Sequence, residues 1–369
     1  MMKPLKLPSR SLLRSIFNAV GILIALIILG VGVLTVLPST NRNDSVDFVT
    51  RADPASGPVA QSDFYIYLPI VSSVPTGWSS QTSGVTNLLY GVGCENSGQN
   101  CMAVGLGIIL KTSNGGSSWS PVTPSIAGLD LKDVSCPTAT RCVAVGKSSS
   151  NTGLILVTTN AGSSWSKFGQ SYLMSSVDCI SSDECVAVGH ESEARFTYNG
   201  GSSWQSGPLG NTHLHGVDCL SSRTCWMVGD GGRVIGTYPN AGGSGGIGVI
   251  PKKDLLLNEG KSLLSISCVK QEMCVTVGQI GKIFQTTNTG GSWSARSSGT
   301  GVTLPGVSCP DAAFCYAVGD NGTILISSNG GSSWFPDDSP TTTNLKAIDC
   351  FGSTTCLAVG ANGTILQRQ

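Results

Sequence analysis

Charge is scarce in this sequence. Lysine plus arginine number 22, aspartate plus glutamate also 22, and the 369-residue chain carries no formal net charge. Binding nucleic acid requires a basic face to meet the phosphates; no basic block is available, so nucleic acid is excluded as a partner. Histidine is scarcer still, at three residues, and a transition-metal site usually demands three or four ligands. The 48 glycines follow no Gly-X-Y period, which excludes collagen. Short strands joined by tight turns are the natural home for that much glycine. No cysteine precedes Cys94, so there is no lipid-attachment cysteine behind the N-terminal apolar run.

Cysteine is plentiful after that point, and its spacing is regular. The fourteen fall into the pairs Cys94/Cys101, Cys136/Cys142, Cys179/Cys185, Cys219/Cys225, Cys268/Cys274, Cys309/Cys315 and Cys350/Cys356. Six pairs enclose five residues and the first encloses six. An even count in close pairs downstream of an export signal predicts local disulfides in an oxidising compartment. Each pair flanks the loop of the first hairpin in its unit, where a disulfide is expected to staple the inner strand. Zinc sites bring two close pairs together, often as C-x2-C, and seven separated C-x5-C pairs do not fit that pattern. No metal and no cofactor is expected.

The N-terminus supplies the export signal. Lys3, Lys6, Arg10 and Arg14 precede an uncharged apolar run from Ile16 to Leu37, long enough to span a bilayer core as one helix. Residues 1–37 are therefore expected to be a cytoplasmic basic flank and a transmembrane signal anchor, with all that follows outside. A cleaved signal, releasing a secreted protein, is the alternative; the run is long for that and no A-x-A site follows it. Residues 38–76 are rich in Ser, Thr, Pro, Asn and Asp, the composition of a flexible linker. Within them Phe64-Tyr-Ile-Tyr-Leu-Pro-Ile-Val71 is an apolar, β-prone exception.

From residue 77 to 369 the chain repeats every 40 to 49 residues. An apolar residue stands five before each first cysteine (Leu89, Leu131, Met174, Leu214, Leu263, Leu304, Leu345). A β-branched one stands two before it (Val92, Val134, Val177, Val217, Ile266, Val307, Ile348). After the second cysteine a short strand ends in Val-Gly, as in Cys142-Val-Ala-Val-Gly146. A turn, a third strand and a glycine-rich turn follow, usually closed by tryptophan. Four short strands per unit predict an all-β, seven-bladed β-propeller. The last unit stops after its third strand, Gly363-Thr-Ile-Leu-Gln-Arg-Gln369, and the domain opens at Gly77-Trp78. The segment around Trp78 is therefore expected to pair beside Ile365 and close the ring, leaving no open sheet at the seam.

The closing turn recurs as Thr112-Ser-Asn-Gly-Gly-Ser-Ser-Trp119 and again, with Asn160 and Trp165, Asn199 and Trp204, Asn288 and Trp293, and Asn329 and Trp334. It resembles the Asp-box, the bacterial neuraminidase repeat S/T-x-D-x-G-x-T-W, with Asn in the Asp position. An Asx side chain bonds nearby backbone amides and the tryptophan packs between sheets, so the motif is expected to brace a turn. Among Asp-box propellers, the run G-x-I-L-x-T-x-N-G-G-x-S-W looks most like the photosystem II assembly and stability factors. That resemblance implies a seven-bladed fold and a binding role in membrane-protein assembly. The fourth unit departs from the pattern: Thr237-Tyr-Pro-Asn-Ala-Gly-Gly-Ser244 lacks the tryptophan.

An Asp-box also implies a sialidase-like glycoside hydrolase as an alternative, and that chemistry needs three convergent arginines. Of the six arginines in the repeats, Arg141 and Arg223 fall in cysteine loops, Arg296 follows a tryptophan and Arg368 is near the end. Arg195 and Arg233 alone remain for the opposite face, so no triad assembles and catalytic residues are not assigned. His213-Leu-His215 places two histidines at alternate strand positions, without further ligands to complete a metal site. Repeats fix a scaffold, so positions that vary between them are candidates for specificity. These are Tyr90, Lys132, His190, Arg195, His213, His215, Arg233, Lys282 and Lys346. The expected function is a non-catalytic, extracytoplasmic binding or assembly scaffold, presenting that face to a protein or glycan; a surface-structural or adhesion protein is the other alternative.

Alkylation and mass spectrometry of protein purified from its native membrane, with and without reduction, should reveal seven disulfides and an intact N-terminal segment. Fourteen free thiols would overturn the exported assignment.

Overall fold

The apolar strands of each repeat are too short to cover one another within a single unit, so each sheet must bury both faces against neighbours. In the computed structural model the repeats form seven four-stranded antiparallel sheets, the blades of a seven-bladed β-propeller. The residues described are 33–34, 50–51, 77–122, 126, 128–170, 172–209, 212–221, 224–237, 251–257 and 260–369. The inner strands of blades 1 to 7 are Leu89–Cys94, Asp130–Ser135, Met174–Cys179, Leu214–Ser221, Leu263–Lys270, Gly306–Ser308 and Leu345–Cys350. Second strands such as Cys101–Gly105, Cys185–Gly189 and Cys356–Gly360 are buried along their whole length. That is why they read as unbroken apolar runs with no polar alternation.

The apolar segment 16–37 lies outside the described residues except for Val33–Leu34, which pairs antiparallel with Thr50–Arg51 and is strand, not helix. No helix among the described residues is long and apolar enough to cross a membrane. The linker exception at 64–71 also lies outside them.

Core packing sits between blades, not within them. Seven apolar clusters occur, each drawn from two adjacent blades. Six contain the closing tryptophan of one of the pair: Trp119, Trp165, Trp204, Trp293, Trp334 and Trp78. The junction of blades 3 and 4, where the motif has decayed, uses Leu209, Phe196 and Tyr198 instead. Trp78 begins the fourth strand of blade 7, Trp78–Gln81, which pairs antiparallel with Ile365–Arg368. Its ring meets Tyr316 of blade 6 edge-on at 6.4 Å, and its Nε1–H donates to Asp337 Oδ2 at 3.0 Å.

Seven disulfides join the cysteine pairs as spaced in the sequence. Each closes a loop short enough to contribute about 2 kcal/mol by chain entropy. Their placement adds burial to the staple read from the sequence. The second cysteine of every pair is a core residue: Cys101, Cys142, Cys185, Cys225, Cys274, Cys315 and Cys356 are each no more than 2% exposed. Every inter-blade cluster contains one of them, Cys225 between blades 3 and 4, Cys274 between blades 4 and 5, and Cys315 between blades 5 and 6. The cause is position. These cysteines stand at the start of the second strands, as in Thr224–Gly229, Met273–Gly278 and Cys315–Val318, which neighbouring blades cover on both faces. Cys225, Cys274 and Cys315 are therefore packing residues as well as cross-links, and they take no part in an exposed site.

Hydrogen bonds between inner strands link the blades around the axis. At six of the seven junctions the side chain of the residue before the first cysteine accepts the N–H of the first cysteine in the next blade. Asp178 takes Cys219 N–H and Asp218 takes Cys268 N–H, both at 2.8 Å, and Asp349 takes Cys94 N–H at 2.7 Å across the seam. Ser135, Ser267 and Ser308 do the same for Cys179, Cys309 and Cys350 at 3.0–3.2 Å. The seventh junction has Gly93, where a Cβ would lie 2.3 Å from Val134 O. A second tier, two residues earlier, runs from Val177 N–H to Asp133, Val217 N–H to Ser176 and Val307 N–H to Ser265.

The four aspartates of this ladder are hemmed in by inner strands while keeping partial exposure toward the axis. Burial pushes Asp133, Asp178 and Asp349 up to about 6 against the backbone hydrogen bonds that favour the carboxylate. Asp218 is pushed well above the carboxylate range by burial and then by Asp178. A carboxyl that binds its proton more tightly in the fold stabilises fully below its unfolded value, near pH 4, and that contribution is lost as pH rises through about 6. Asp178→Asn keeps the acceptor for Cys219 and removes the charge. The melting temperature gained by wild type between pH 7.5 and pH 5 should shrink in this variant by roughly 2–4 °C. Equal pH dependence in the two proteins would show that the Asp178 charge carries no such cost.

Candidate functional site

One residue in each inner strand is set apart by the backbone. In blades 1, 2, 3, 4, 5 and 7 the register shifts by one at Tyr90, Lys132, Ser175, His215, Leu264 and Lys346. Each is the extra residue of a β-bulge, a device that re-aims a side chain out of the ladder. In blade 6 the same position is Pro305, directly ahead of the strand. The bulge also explains the Val-Gly signature. The glycine opposite meets the carbonyl of the residue that precedes the inner strand: a Cβ on Gly189 would lie 2.1 Å from Leu173 O, and one on Gly105 2.0 Å from Leu88 O. Six of the seven repeats thus set one residue apart at the same position of the inner strand, and its identity varies among them.

The nine residues expected to form a face separate into several contacts along it. Lys132 Nζ stands 3.7 Å over the Tyr90 ring, joining blades 1 and 2, and binds Asp130 at 2.7 Å. Lys346 bridges blades 7 and 6 through Asp320 at 3.1 Å. Arg195 pairs with Glu193 and bonds Gln170. Arg233 bonds Thr212 and, at 3.0 Å, Leu209 O. Lys282 follows the turn Gln279–Gly281 and its N–H returns to Gln279 O at 3.2 Å. Ion pairs of this partly exposed kind contribute little to stability, but they fix where each charge points.

The histidines are the densest cluster, and all three of the chain take part. His190 lies in the turn His190–Ser192 of blade 3, and its ring centroid is 4.2 Å from that of His213 ahead of blade 4. Glu191 N–H donates to His213 Nδ1 at 3.1 Å. His215 Nε2 lies 2.7 Å from Asp230 Oδ1, which also accepts from Ser262 Oγ. Alternate positions 213 and 215 would share a face in a regular strand; the bulge at His215 gives them different partners. Burial, then His213 and His215, holds the His190 imidazole below its ordinary range. Burial raises the Asp230 carboxyl, but hydrogen bonds from His215 and Ser262 and the nearby imidazoles outweigh it and hold the group below the usual carboxylate value.

Arg141 bonds Gly200 O, Arg296 binds Gln285, and Arg368 lies against Asp337 and Tyr316. Together with Arg195 and Arg233, each of these five arginines is engaged by partners of its own; Arg223 lies outside the described residues. A shallow concavity of about 410 Å³ at the seam is lined by Ser80, Gln81, Ser83, Thr86, Asn362 and Thr364 among others, none of them ionisable. No group of His, Cys, Asp or Glu among the described residues is arranged to hold a metal ion.

The five Asn turns are built alike. In the first, Thr112 Oγ1 donates to Asn114 Oδ1 at 2.8 Å and accepts Gly116 N–H, while Asn114 Oδ1 accepts Ser118 N–H and Asn114 Nδ2 donates to Ser118 Oγ. The same set recurs about Asn160, Asn199, Asn288 and Asn329. These residues brace turns and lie at the end of the blades opposite the His190 and Asp230 turns.

Sequence reasoning missed the aspartate–serine ladder and the bulge. The first had a signal: Asp or Ser precedes the first cysteine in six of seven repeats. The second had one in the invariant Val-Gly, whose glycine has no turn to serve.

No family model matches the sequence, and no curated protein does. Solved structures do match in fold. YCF48 from Cyanidioschyzon merolae superposes with a TM-score of 0.62 at 16% identity, covering 79% of this chain and 99% of that one. YCF48 bound to D1 peptide gives 0.64 at 17% identity over 79% and 94% of the two chains. The WD40 β-propeller domain of Doa1 gives 0.66 at 12% identity over 80% and 97%. Identities this low establish the propeller fold that these chains share.

Proposed function

We propose that this protein is a non-catalytic scaffold that presents the bulged-residue face of its propeller to a protein partner outside the membrane, held there by residues 1–37. The observation that carries the reading is the bulge: a backbone device shared by six of the seven blades, which sets out Tyr90, Lys132, Ser175, His215, Leu264 and Lys346 in turn. Such an arrangement suits recognition of an extended or irregular partner, since it combines a rigid frame with a changing surface. Support comes from a propeller of the same fold, YCF48, solved bound to a peptide. Seven disulfides fit an oxidising compartment. We read the five braced turns as Asp-boxes with Asn for Asp, a scaffold feature that carries no sialidase chemistry by itself.

A photo-crosslinking residue placed at Lys132 or Lys346 in native membranes should capture a discrete protein, and one at Thr138, in a cysteine loop, should not. The double variant Lys132→Glu, Lys346→Glu should lower capture from a probe at Tyr90 about tenfold or more while leaving thermal stability within about 2 °C. Equal capture from both ends of the blades, or turnover of a glycoside substrate by the purified protein, would overturn the reading.

A further inference from the structure

The junction of blades 3 and 4 contains a hydrogen bond that only a neutral imidazole can make. Glu191 stands in the left-handed region at φ 54°, ψ 31°, a conformation that a non-glycine residue keeps only when its surroundings hold it. The N–H of that residue donates across the blade boundary to His213 Nδ1, at 3.1 Å. An N–H donates to a ring nitrogen only if that nitrogen bears a lone pair, so Nδ1 is unprotonated here and the proton of neutral His213 sits on Nε2.

The repeat supplies its own comparison. At the junction of blades 6 and 7 the equivalent turn residue Asn321, at φ 59°, donates its N–H to Asn344 Oδ1 at 2.9 Å. His213 and Asn344 both stand six residues before the first cysteine of their repeats. The same bond is therefore made once to an amide oxygen, which cannot take up a proton, and once to an imidazole nitrogen, which can.

We propose that the turn His190–Ser192 and His213 form a proton-operated latch between blades 3 and 4, closed when His213 is neutral and released when it is protonated. Uptake of one proton at Nδ1 converts the acceptor into a donor that faces the Glu191 N–H. The charged groups around it set the balance. From the blade 3 turn, His190 stacks on it at 4.2 Å, and Glu191 donates its N–H to it. From blade 4, Asp230 favours the cation, but it is already engaged by His215 and Ser262. The Arg233 guanidinium is bonded to Thr212, the residue before His213. Burial and the neighbouring imidazoles also favour the neutral form of His190, so the stability it contributes is present at neutral pH and lost on acidification. The latch regulates the face proposed above and in that respect rests on that reading, but it is tested without any partner.

Hydrogen exchange of the full-length protein, followed by mass spectrometry on peptides spanning residues 188–195, measures whether the latch is closed. After correction for intrinsic exchange rates, protection at Glu191 should fall about tenfold between pH 7.5 and pH 5 in wild type. In His213→Asn, which installs the acceptor used at Asn344, protection should stay within about twofold over that range. The Asn321 region serves as the internal reference and should not respond. Nitrogen-15 correlation spectra of the wild-type imidazoles at pH 7.5 should identify His213 as the Nε2–H tautomer, a readout that needs no variant. Unchanged protection at pH 5 in wild type, equal loss in His213→Asn, or a protonated Nδ1 at pH 7.5 would each overturn the latch.

Discussion

The propeller depends on a side-chain oxygen handed from each inner strand to the backbone of the next. Inner strands of neighbouring blades do not share a ladder, so their outward N–H groups would be left without partners near the axis. An unpaired buried N–H costs about as much as a lost hydrogen bond. Aspartate or serine before the first cysteine meets that need at six junctions, and a glycine at the seventh lets the strands of blades 1 and 2 approach directly. The disulfide one residue further on pins the strand that carries the donor, and its other sulfur is sunk in the apolar cluster between blades. Axial hydrogen bond, staple and inter-blade cluster thus converge on the same few residues of each repeat.

Two consequences follow for the surface. Because the inner strand is fixed at its cysteine end, the bulge near its other end is repeated faithfully, and the residue it extrudes is free to vary without disturbing the core. The charges around it are nonetheless tied to neighbours: Lys132 to Asp130 and Tyr90, Lys346 to Asp320, Arg195 to Glu193. A face of this kind is pre-organised, which lowers the entropy lost when a partner binds.

Much of this was legible in the sequence. The seven repeats, their strands and their cysteine pairing follow from spacing alone, since every unit spells the same order of apolar, cysteine and glycine positions. Spacing says which cysteines pair but not how deep they lie, so the burial of Cys225, Cys274 and Cys315 became visible only once the blades were stacked. The column of Asp178, Asp218 and Asp349 was also visible, but a short polar residue beside a strand end has many ordinary explanations. The bulge was hidden because alternation is read with a period of two, and a single extra residue such as His215 reverses it downstream. The contact of Glu191 with His213 was beyond reach: it joins two blades, and neither residue type announces a left-handed turn or its acceptor. Of the nine variable residues, Tyr90, Lys132, His215 and Lys346 share a backbone feature, the bulge, that variation alone did not announce.

The seam has a consequence for how the molecule comes into being. The fourth strand of blade 7 is Trp78–Gln81, and its partner is Ile365–Arg368, so one sheet is assembled from the two extremes of the domain. A chain emerging N-terminus first presents Trp78–Gln81 long before anything exists for it to pair with. Every other blade is complete within its own few dozen residues and can form in turn, while this strand waits. Closing so large a loop is slow, because its entropy must be overcome before any contact rewards it, and in the interval both edges of the growing arc stay unpaired. Ring closure is thus the contact of greatest sequence separation in this fold, and it removes the edges at which a second copy could pair.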